Sequence, residues 1–263
     1  MFEKVNPSHP DKIADRIAGA MVDAAYSESK NPRIACEVLT GHGRTLVICE
    51  TSVSLKGYVL EIVHRIAGET QVSYVERPQN SILAANQREQ MRCGDNGIFC
   101  GMPITAEQRR LSSIARRIYS RYPTDGKCVI HGGDITICQS CATEDGIKDC
   151  LRATDKPSKI NPLGKWKGGL NVDAGATNRK LGSDMGDAVT GGGLHGKDLS
   201  KADVSVNIWA HVMAQELHLP LEVACSIGDT KIGNTPYAEV VEIARDYIIG
   251  AGGFERFAEW GLI

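Results

Sequence analysis

The segment from Asp187 to Asp203, DAVTGGGLHGKDLSKAD, places four glycines beside charges of both signs, just before a helical run. Glycine allows backbone N–H groups to approach an oxyanion closely, and each lysine adds a compact positive charge. Aspartates among the lysines suit a divalent cation or the ammonium group of a second substrate. The pattern predicts a binding site for a highly charged ligand such as a polyphosphate.

A P-loop is one interpretation of this segment. Gly191, Gly196 and Lys197 fit G-x-x-x-x-G-K, but Asp198 stands where that motif has Ser or Thr for magnesium. The apolar strand that a P-loop follows is also missing from the preceding residues, LGSDMGDAVT. We therefore predict a polyphosphate site of another kind.

The charged, glycine-rich stretch extends over residues 159–203. It contains seven cations and five aspartates: Lys159, Lys165, Lys167, Arg179, Lys180, Lys197, Lys201, Asp173, Asp184, Asp187, Asp198 and Asp203. The alternative is a long solvated loop with charges of no function. Long loops without structure are uncommon unless they are functional or disordered, and INPLGKWKGGLNVDAG has too many apolar residues for disorder. We favour the functional interpretation.

Two other segments carry charges that fit the same ligand. His9, Asp11 and Lys12 begin a predicted helix over residues 8–27, where the helix dipole favours anions; Ser8 and Asp11 resemble a capping box there. Asp11 could be a cap or a metal ligand. Asp125 and Lys127 are two residues apart at a strand entry and so share one face.

Glu37 and Glu50 lie in two apolar strands, predicted over 33–40 and 44–52, and are expected to be partly buried. A buried carboxylate needs a partner. An ion, a substrate amine or a plain salt bridge would each provide one.

Hairpins that alternate with helices predict an α+β fold rather than a doubly wound parallel sheet. The hairpins turn at 41–43 and at Gly132–Gly133; the helices are predicted over 106–120, 144–153, 200–217 and 237–249, with a mixed segment at 58–66 and a strand at 222–227. All 263 residues are expected to form one compact unit.

Composition excludes several function classes. A formal charge of −2 gives no general reason to expect nucleic acid or an anionic membrane as a partner. No 18-residue apolar run occurs, and nine cysteines without a signal peptide favour free thiols in the cytoplasm. Cys138 and Cys141 have zinc or redox spacing, but no second pair completes a site, so we interpret them as incidental thiols.

Seven strings then match one family in order: SHPDKIAD, ACEVLTGHG, CGDNGIFCG, TDGK, INPLGKW, DAGATNRK and GGGLHGKDLSKAD. The chain resembles the S-adenosylmethionine synthetases (methionine adenosyltransferases), whose strings are similar to GHPDKIAD, ACET, AGDQG, PDAK, INPTGRF, DCGLTGRK and GGGAFSGKDPSKVD. The resemblance implies three similar, interleaved α+β lobes around a pseudo-threefold axis. It also implies ATP and L-methionine as substrates, Mg²⁺ and K⁺ as ions, and a homodimer, possibly a dimer of dimers, with active sites shared between subunits.

Matched motif by motif, the resemblance implies a role for each charged residue. The triphosphate would be bound by His9, Lys127, Arg179, Lys180 and Lys197, the ribose by Asp125, and the adenine by Trp166, which replaces a stacking Phe. Methionine would be surrounded by Glu50, Gln87, Asp95, Asp173 and Lys201. Magnesium would be held by Asp11 and Asp203, and potassium by Glu37.

The chain also departs from the family pattern. The segment before CGDNG is contracted, so the family's gate over the active site is expected to be trimmed, and Gln87 is our candidate for a methionine-binding Gln there. Two alternatives stay open: another ATP-dependent phosphate-transfer enzyme, or a catalytically silent nucleotide-binding homologue.

Overall fold

The computed structural model describes residues 1–87 and 90–263. Within them, helices and mixed sheets alternate as the α+β prediction requires. The division into three lobes around a pseudo-threefold axis stays a prediction.

The first sheet is built around the predicted hairpin at 33–52. Its strands lie in the order β4–β3–β2–β9, with bounds Ile34–Gly41 (β2), Arg44–Thr51 (β3), Gln71–Arg77 (β4) and Ala174–Ala176 (β9). Strands β2 and β3 are antiparallel, β4 runs parallel to β3, and β9 pairs antiparallel with Leu39–Gly41 of β2. The crossover between the parallel strands β3 and β4 contains a helix, Val59–Ala67 (α2). This helix lies in the segment 58–66, for which the sequence predicted mixed structure.

One face of this sheet is covered by the first helix, Pro10–Glu28 (α1). Ile17 and Met21 of α1 are fully buried with Ile34, Cys36 and Val47 of the hairpin. A helix that the sequence analysis missed, Phe254–Trp260 (α9), packs against α1 at Gly19. A side chain at position 19 would collide with the Phe254 carbonyl, so Gly19 allows this close approach.

The second sheet contains the other predicted hairpin and has its own core. Its strands lie in the order β1–β6–β7–β8, with bounds Phe2–Val5 (β1), Gly126–His131 (β6), Asp134–Gln139 (β7) and Lys159–Ile160 (β8). The basic helix Ala106–Arg121 (α4) packs on β1 and β6 and begins with a capping box between Thr105 and Gln108. Leu111, Ile114 and Ile118 of α4 are buried in this core.

A third helix-on-sheet unit completes the chain. Strands Gly97–Gly101 (β5) and Leu221–Cys225 (β10) are antiparallel, and helix Ala202–Leu217 (α7) packs on both. Helix Tyr237–Ala251 (α8) packs on α7. The shorter elements are Ser81–Asn86 (α3), Glu144–Lys148 (α5), Leu181–Met185 (α6), the 3₁₀ turn Gly186–Ala188, Lys231–Ile232 (β11) and Thr235–Pro236 (β12). Among the described residues, none of the helices has the length and apolar character needed to cross a membrane.

Candidate active site

The start of α1 is capped by His9 rather than by Ser8. The His9 Nδ1 atom accepts a hydrogen bond from the Asp11 N–H at 3.2 Å. The Ser8 hydroxyl instead donates to the Pro123 carbonyl at 3.1 Å. The sequence suggested Ser8 because serine is the commoner cap, but packing against the 119–123 segment takes its hydroxyl away.

Asp11 is the centre of a group of cations. Its Oδ2 atom lies 2.6 Å from Lys180 Nζ, and its Oδ1 atom accepts the Ala176 N–H at 2.9 Å, with Arg179 Nη1 3.6 Å away. Burial opposes ionisation of Asp11, but the hydrogen bonds from Lys180 and Ala176 outweigh it and lower the pKa of the carboxyl group. Asp11 therefore does not act as a helix cap; it anchors the 176–180 segment.

Four predicted site residues act electrostatically on His9. Burial, followed by the positive charges of Lys180 and Lys127, lowers the pKa of His9 to about 4, against the opposing effect of Asp11 and Asp173. His9 is thus a neutral imidazole at pH 7, with its ring in a strongly cationic environment. The negative charge of a bound polyanion would instead raise the pKa of His9.

This environment predicts proton uptake at His9 on anion binding. At pH 6 the free ring is neutral, and a bound tripolyphosphate should raise the pKa of His9 because it favours the imidazolium. Calorimetric titration of tripolyphosphate in buffers of different ionisation enthalpy should show more protons taken up by the wild type than by His9→Asn, which keeps an N-cap side chain. The difference should vanish at pH 8. Equal uptake by both proteins at pH 6 would contradict direct contact between His9 and phosphate.

Asp125 and Trp166 form a second part of this region. Asp125 Oδ2 accepts the Gly169 N–H at 3.1 Å, and the Trp166 Nε1–H donates to Asn161 Oδ1 at 3.2 Å. Gly168 lies between the Asp125 carboxylate and the Trp166 ring, where no side chain would fit. Burial raises the pKa of Asp125. A carboxylate beside an aromatic ring is an arrangement that suits a nucleoside.

Lys127 enters this region from β6. Its Nζ atom lies 2.5 Å from Glu3 Oε2 on the neighbouring strand β1, and both side chains are half exposed. An exposed ion pair of this kind contributes little to stability, so Lys127 can exchange Glu3 for a phosphate at small cost.

The remaining predicted lysines and aspartates form a second group. Lys197 pairs directly with Asp203, and Lys201 Nζ lies 3.8 Å from Asp95 Oδ1. Burial raises the pKa of Asp95, and the negative charge of Asp203 adds to this effect. The positive charges of Lys201 and Lys197 oppose it without cancelling it. Gly192 packs on the Asp203 carboxylate, at a place where a side chain would collide with it. These four charges therefore act on one another at close range.

Strand β2 supports both groups along the same edge. The Thr177 N–H donates to the Val38 carbonyl at 3.0 Å, and four residues back along the chain the Ile34 carbonyl accepts the Asp198 N–H at 3.0 Å. Between them, Cys36 N–H donates to the Gly196 carbonyl at 2.7 Å. The segment that carries Arg179 and Lys180 and the segment that carries Lys197 are thus fixed to one strand.

Asp198 confirms that the glycine segment is no P-loop. Its two carboxylate oxygens accept the backbone N–H groups of Ile34 at 2.8 Å and Ser200 at 2.9 Å. The side chain is completely buried and fixes the loop to β2. It occupies the sequence position of the P-loop Ser or Thr, but it binds backbone N–H groups.

The expectation of partly buried glutamates in the hairpin is wrong. Glu37 and Glu50 are exposed, because only the face of β2 and β3 that α1 covers is buried, and side chains alternate between the two faces. The open face also carries Leu39, 54% exposed, and Ile48, 43% exposed. The Thr177 hydroxyl donates to the Glu37 carboxylate.

Gln87 follows α3 and is already hydrogen-bonded. Its Oε1 atom accepts the Arg92 N–H at 3.1 Å, and its amide donates to the Arg92 carbonyl. The neighbouring Asn86 amide donates to the Cys93 carbonyl at 3.0 Å, just before Asp95. Gln87 is therefore close along the chain to the second group, but its side chain binds the backbone of Arg92.

A buried network below the first group was not foreseen. Lys12 Nζ lies 2.6 Å from Asp184 Oδ2, 3.1 Å from Asp15 Oδ2 and 3.4 Å from His195 Nε2. Asp15, Asp184 and His195 are close enough together to hold a metal ion, but the Lys12 ammonium lies among them and balances their charge. In the sequence, this network was indicated by the spacing of Lys12 and Asp15, which are three residues apart on a helix and therefore neighbours.

Comparisons with known proteins show which family the sequence is similar to. The family model described as S-adenosylmethionine synthetase, N-terminal domain, matches residues 1–88. An S-adenosylmethionine synthase of Thermus thermophilus is 28% identical over 294 residues, which cover 82% of this chain and 73% of that protein. One of Prochlorococcus marinus is 28% identical over 329 residues, which cover 94% and 77%. Over most of its length, the chain is thus similar to S-adenosylmethionine synthetases.

The fold agrees with this relationship over the whole chain. The structure of an unusual S-adenosylmethionine synthetase from Campylobacter jejuni superposes with a TM-score of 0.80 at 18% identity, covering 100% of this chain and 95% of that one. At this identity the superposition shows a shared fold.

Proposed function

We propose that the chain is a methionine adenosyltransferase, which makes S-adenosylmethionine from ATP and L-methionine. The observation that carries the proposal is the group at the start of α1, where His9, Asp11, Lys127 and Lys180 act on one another. A site with several cations, a neutral imidazole and a helix N-terminus suits a triphosphate. Asp125, on which the charge of Asp11 acts, and Trp166, on the other side of Gly168, would bind the nucleoside.

The reaction needs charge stabilisation rather than a base. A lone pair of the methionine thioether attacks C5′ of ATP, a C–S bond forms, and the C5′–O bond breaks with its electrons passing to the triphosphate. Sulfur loses no proton and becomes a sulfonium. His9, Lys127, Arg179, Lys180 and Lys197 would stabilise the leaving tripolyphosphate, and the same cations would serve its hydrolysis to pyrophosphate and phosphate.

Asp11 and Asp203 fit the proposed magnesium sites. Mg²⁺ is held by one or two carboxylates together with substrate phosphates and water, and each of these aspartates presents its carboxylate beside a phosphate-binding lysine. Bound Mg²⁺ would neutralise charge on the polyphosphate. The ammonium groups of Lys180 and Lys197 pair with these carboxylates in the structure.

The other assignments extend the same proposal. Asp95 and Lys201 carry the charges that complement the ammonium and carboxylate of methionine, and Asp173 lies close enough to affect His9. Glu50 and Gln87 stay proposed methionine contacts, and Glu37 a proposed potassium ligand. Hard oxygen donors of this kind suit K⁺ and Mg²⁺ rather than a softer metal.

A homodimer with shared active sites is supported by the open sheet face. Leu39, Ile48 and Val75 are exposed there beside Glu37 and Glu50. An apolar patch flanked by carboxylates is typical of an interface.

Mixing inactive Lys180→Ala and Lys197→Ala subunits tests whether active sites are shared. If each site takes one group from each subunit, random reassortment of the subunits should restore about a quarter of the wild-type activity. No recovery would show that each chain carries both groups of its own site.

The adenine contact predicts different effects for two substitutions of Trp166. Trp166→Phe should keep the KM for ATP within about twofold, because a π surface remains. Trp166→Ala should raise that KM about tenfold or more, since loss of base stacking costs on the order of 1–3 kcal/mol. Inhibition by tripolyphosphate, which has no base, should be unchanged in both. A weaker inhibition constant in Trp166→Ala would mean that the ring acts on the phosphate region instead.

A mass-spectrometric assay tests the proposed function. Incubation with ATP, methionine and Mg²⁺ should give S-adenosylmethionine, and omission of methionine should abolish it. Phosphate release from ATP without any sulfonium product would favour the alternative of another phosphate-transfer enzyme. Nucleotide binding without turnover would favour a silent homologue.

A further inference from the structure

One face of the basic helix α4 carries arginines and serines that the proposed reaction does not use. They recur every three or four residues, so they are neighbours on one side of the helix. Together they line a cavity of about 540 Å³: Arg109, Ser112, Ser113, Arg116, Arg117 and Ser120. None of them belongs to either group of the candidate active site.

The side chains around this cavity give it a positive charge. Of the described residues that line it, none is an aspartate or a glutamate, and the others are apolar: Ile104, Leu262 and Ile263. Arg117 is already paired with Asp155. Within residues 1–87 and 90–263, neither Arg109 nor Arg116 has an aspartate or glutamate carboxylate within 4.0 Å. Two guanidinium charges are therefore open to an anion.

Arg116 is held in one position by its neighbours. Its guanidinium lies over the Trp260 ring, 4.4 Å from the ring centroid. Its Nε–H donates to the Ser112 hydroxyl oxygen at 3.3 Å, and its Nη2 atom reaches the Ile263 backbone oxygen only at 3.5 Å, the limit of a hydrogen bond. A guanidinium held in this way loses little side-chain entropy when it binds an anion.

Ser112 gives an independent indication of a ligand. It is only 5% exposed and lines the cavity. Its oxygen accepts the Arg116 Nε–H, and in the described part of the chain its hydroxyl proton has no acceptor. Ser113 has the same arrangement, because its oxygen accepts the Arg117 Nη1–H at 2.7 Å and its proton is likewise unpaired among the described residues. Buried polar groups normally have hydrogen-bond partners, so an acceptor inside the cavity would complete this one.

We propose that this cavity is a second anion site, which binds a phosphate group. Such a group carries close to two negative charges at pH 7 and three acceptor oxygens, which match two unpaired guanidiniums and two hydroxyl protons. A carboxylate offers one charge and two oxygens. Inorganic pyrophosphate and a nucleoside diphosphate share the phosphate chemistry. A cavity of about 620 Å³ on the other side of Arg116, lined by Tyr247 and Trp260, would be the place for a nucleoside.

Titration calorimetry of the full chain with inorganic pyrophosphate tests the inference. Wild type should bind one pyrophosphate more per chain than Arg116→Gln. Ser112→Ala should keep this additional site but weaken it about tenfold, as expected for one lost hydrogen bond to a charged group. Arg109→Gln, at an exposed position with no ion pair to lose, should weaken the same site about tenfold and leave the fold intact.

A parallel titration with ADP distinguishes the two sources of phosphate. ADP that binds the site lost in Arg116→Gln at least tenfold more tightly than pyrophosphate would identify a nucleotide as the ligand. ADP that binds this site no more tightly than pyrophosphate would identify the inorganic anion.

Arg110 provides a matched control on the same helix. It is also an exposed arginine, but it pairs with Asp155 at 3.5 Å and with the Thr154 carbonyl at 2.8 Å, and it does not line the cavity. Arg110→Gln removes the same formal charge and should keep the additional pyrophosphate. Equal numbers of bound pyrophosphate in wild type and Arg116→Gln would overturn the inference. An equal loss in Arg110→Gln would also overturn it, because the effect would then be one of net charge.

The inference stands apart from the proposed function. Arg116→Gln should form S-adenosylmethionine at the wild-type initial rate when no pyrophosphate is added. A chain that formed no sulfonium, but bound one pyrophosphate more than Arg116→Gln, would refute the proposed function and leave the second site in place.

Discussion

Replacement of Asp11 by asparagine should lower the turnover number for S-adenosylmethionine formation by about a hundredfold to a thousandfold, the range typical for loss of one preorganised electrostatic group. Asparagine can still accept the Ala176 N–H, so the 176–180 segment should stay in place. It cannot hold Mg²⁺ as a carboxylate does, and it leaves Lys180 without its 2.6 Å partner. Steady-state rates of S-adenosylmethionine formation measure the effect.

Asp155→Asn is the matched control for this substitution. Asp155 is also a buried carboxylate between two cations, Arg110 at 3.5 Å and Arg117, but it lies beside α4, in contact with neither group of the candidate site. Both variants should lose similar stability in thermal melts, and only Asp11→Asn should lose activity. Near-normal turnover in Asp11→Asn would remove Asp11 from the active site.

Replacement of Asp184 by asparagine should lower the free energy of unfolding by about 3 kcal/mol, because it leaves buried ammonium groups without their counter-charge. Asp184 lies 2.6 Å from Lys12, and both side chains are buried. Burial lowers the pKa of Lys4 to about 7 against the opposing charge of Asp184, so loss of that charge should lower the pKa of Lys4 further. Urea unfolding followed by circular dichroism measures the change.

A double-mutant cycle with Lys12→Met isolates the pair. The double variant should be less destabilised than the sum of the two single variants, by about 1–3 kcal/mol, because it leaves neither charge alone. Single effects that add within about 0.5 kcal/mol would show that Asp184 and Lys12 do not depend on each other.

The same carboxylate should give acid sensitivity. Burial opposes its ionisation, but Lys12 and then His195 outweigh burial and hold the pKa of Asp184 well below its ordinary range. A carboxyl group with a lowered folded pKa stabilises the fold above its unfolded pKa, about 3.9, and loses that contribution as pH falls further. Wild type should therefore lose stability below about pH 4 more steeply than Asp184→Asn, whereas above about pH 5 the difference between them should be constant.

Most of the long helices and hairpins were predicted from strong local patterns in the sequence. The apolar spacing of α1, the glycine turns of both hairpins and the basic helix α4 were all predicted from sequence, and the structure confirms them within a few residues. The missed elements have weak local signals. Strand β1 has four residues and pairs with β6, while β5 is flanked by glycines and pairs with β10. Such strands exist because of partners more than a hundred residues away.

The candidate site shows the same division residue by residue. The types and order of His9, Asp11, Lys127, Arg179, Lys180, Lys197 and Asp203 were enough to predict a polyphosphate site, because few other ligands require that combination. The exposure of Glu37 and Glu50 was predicted wrongly. A period of two in a strand defines two faces, but only the position of α1 decides which face is covered.

By itself the sequence determined the elements with strong periodicity and the kind of ligand that the charges suit, since both depend on residue type and short-range spacing. Only the tertiary structure decided that His9 caps α1, that Lys12 occupies the space among Asp15, Asp184 and His195, and that Asn178 ties two loops together. Most of these contacts join residues far apart in the chain. Buried polar groups need such partners, and which groups are buried depends on the tertiary structure.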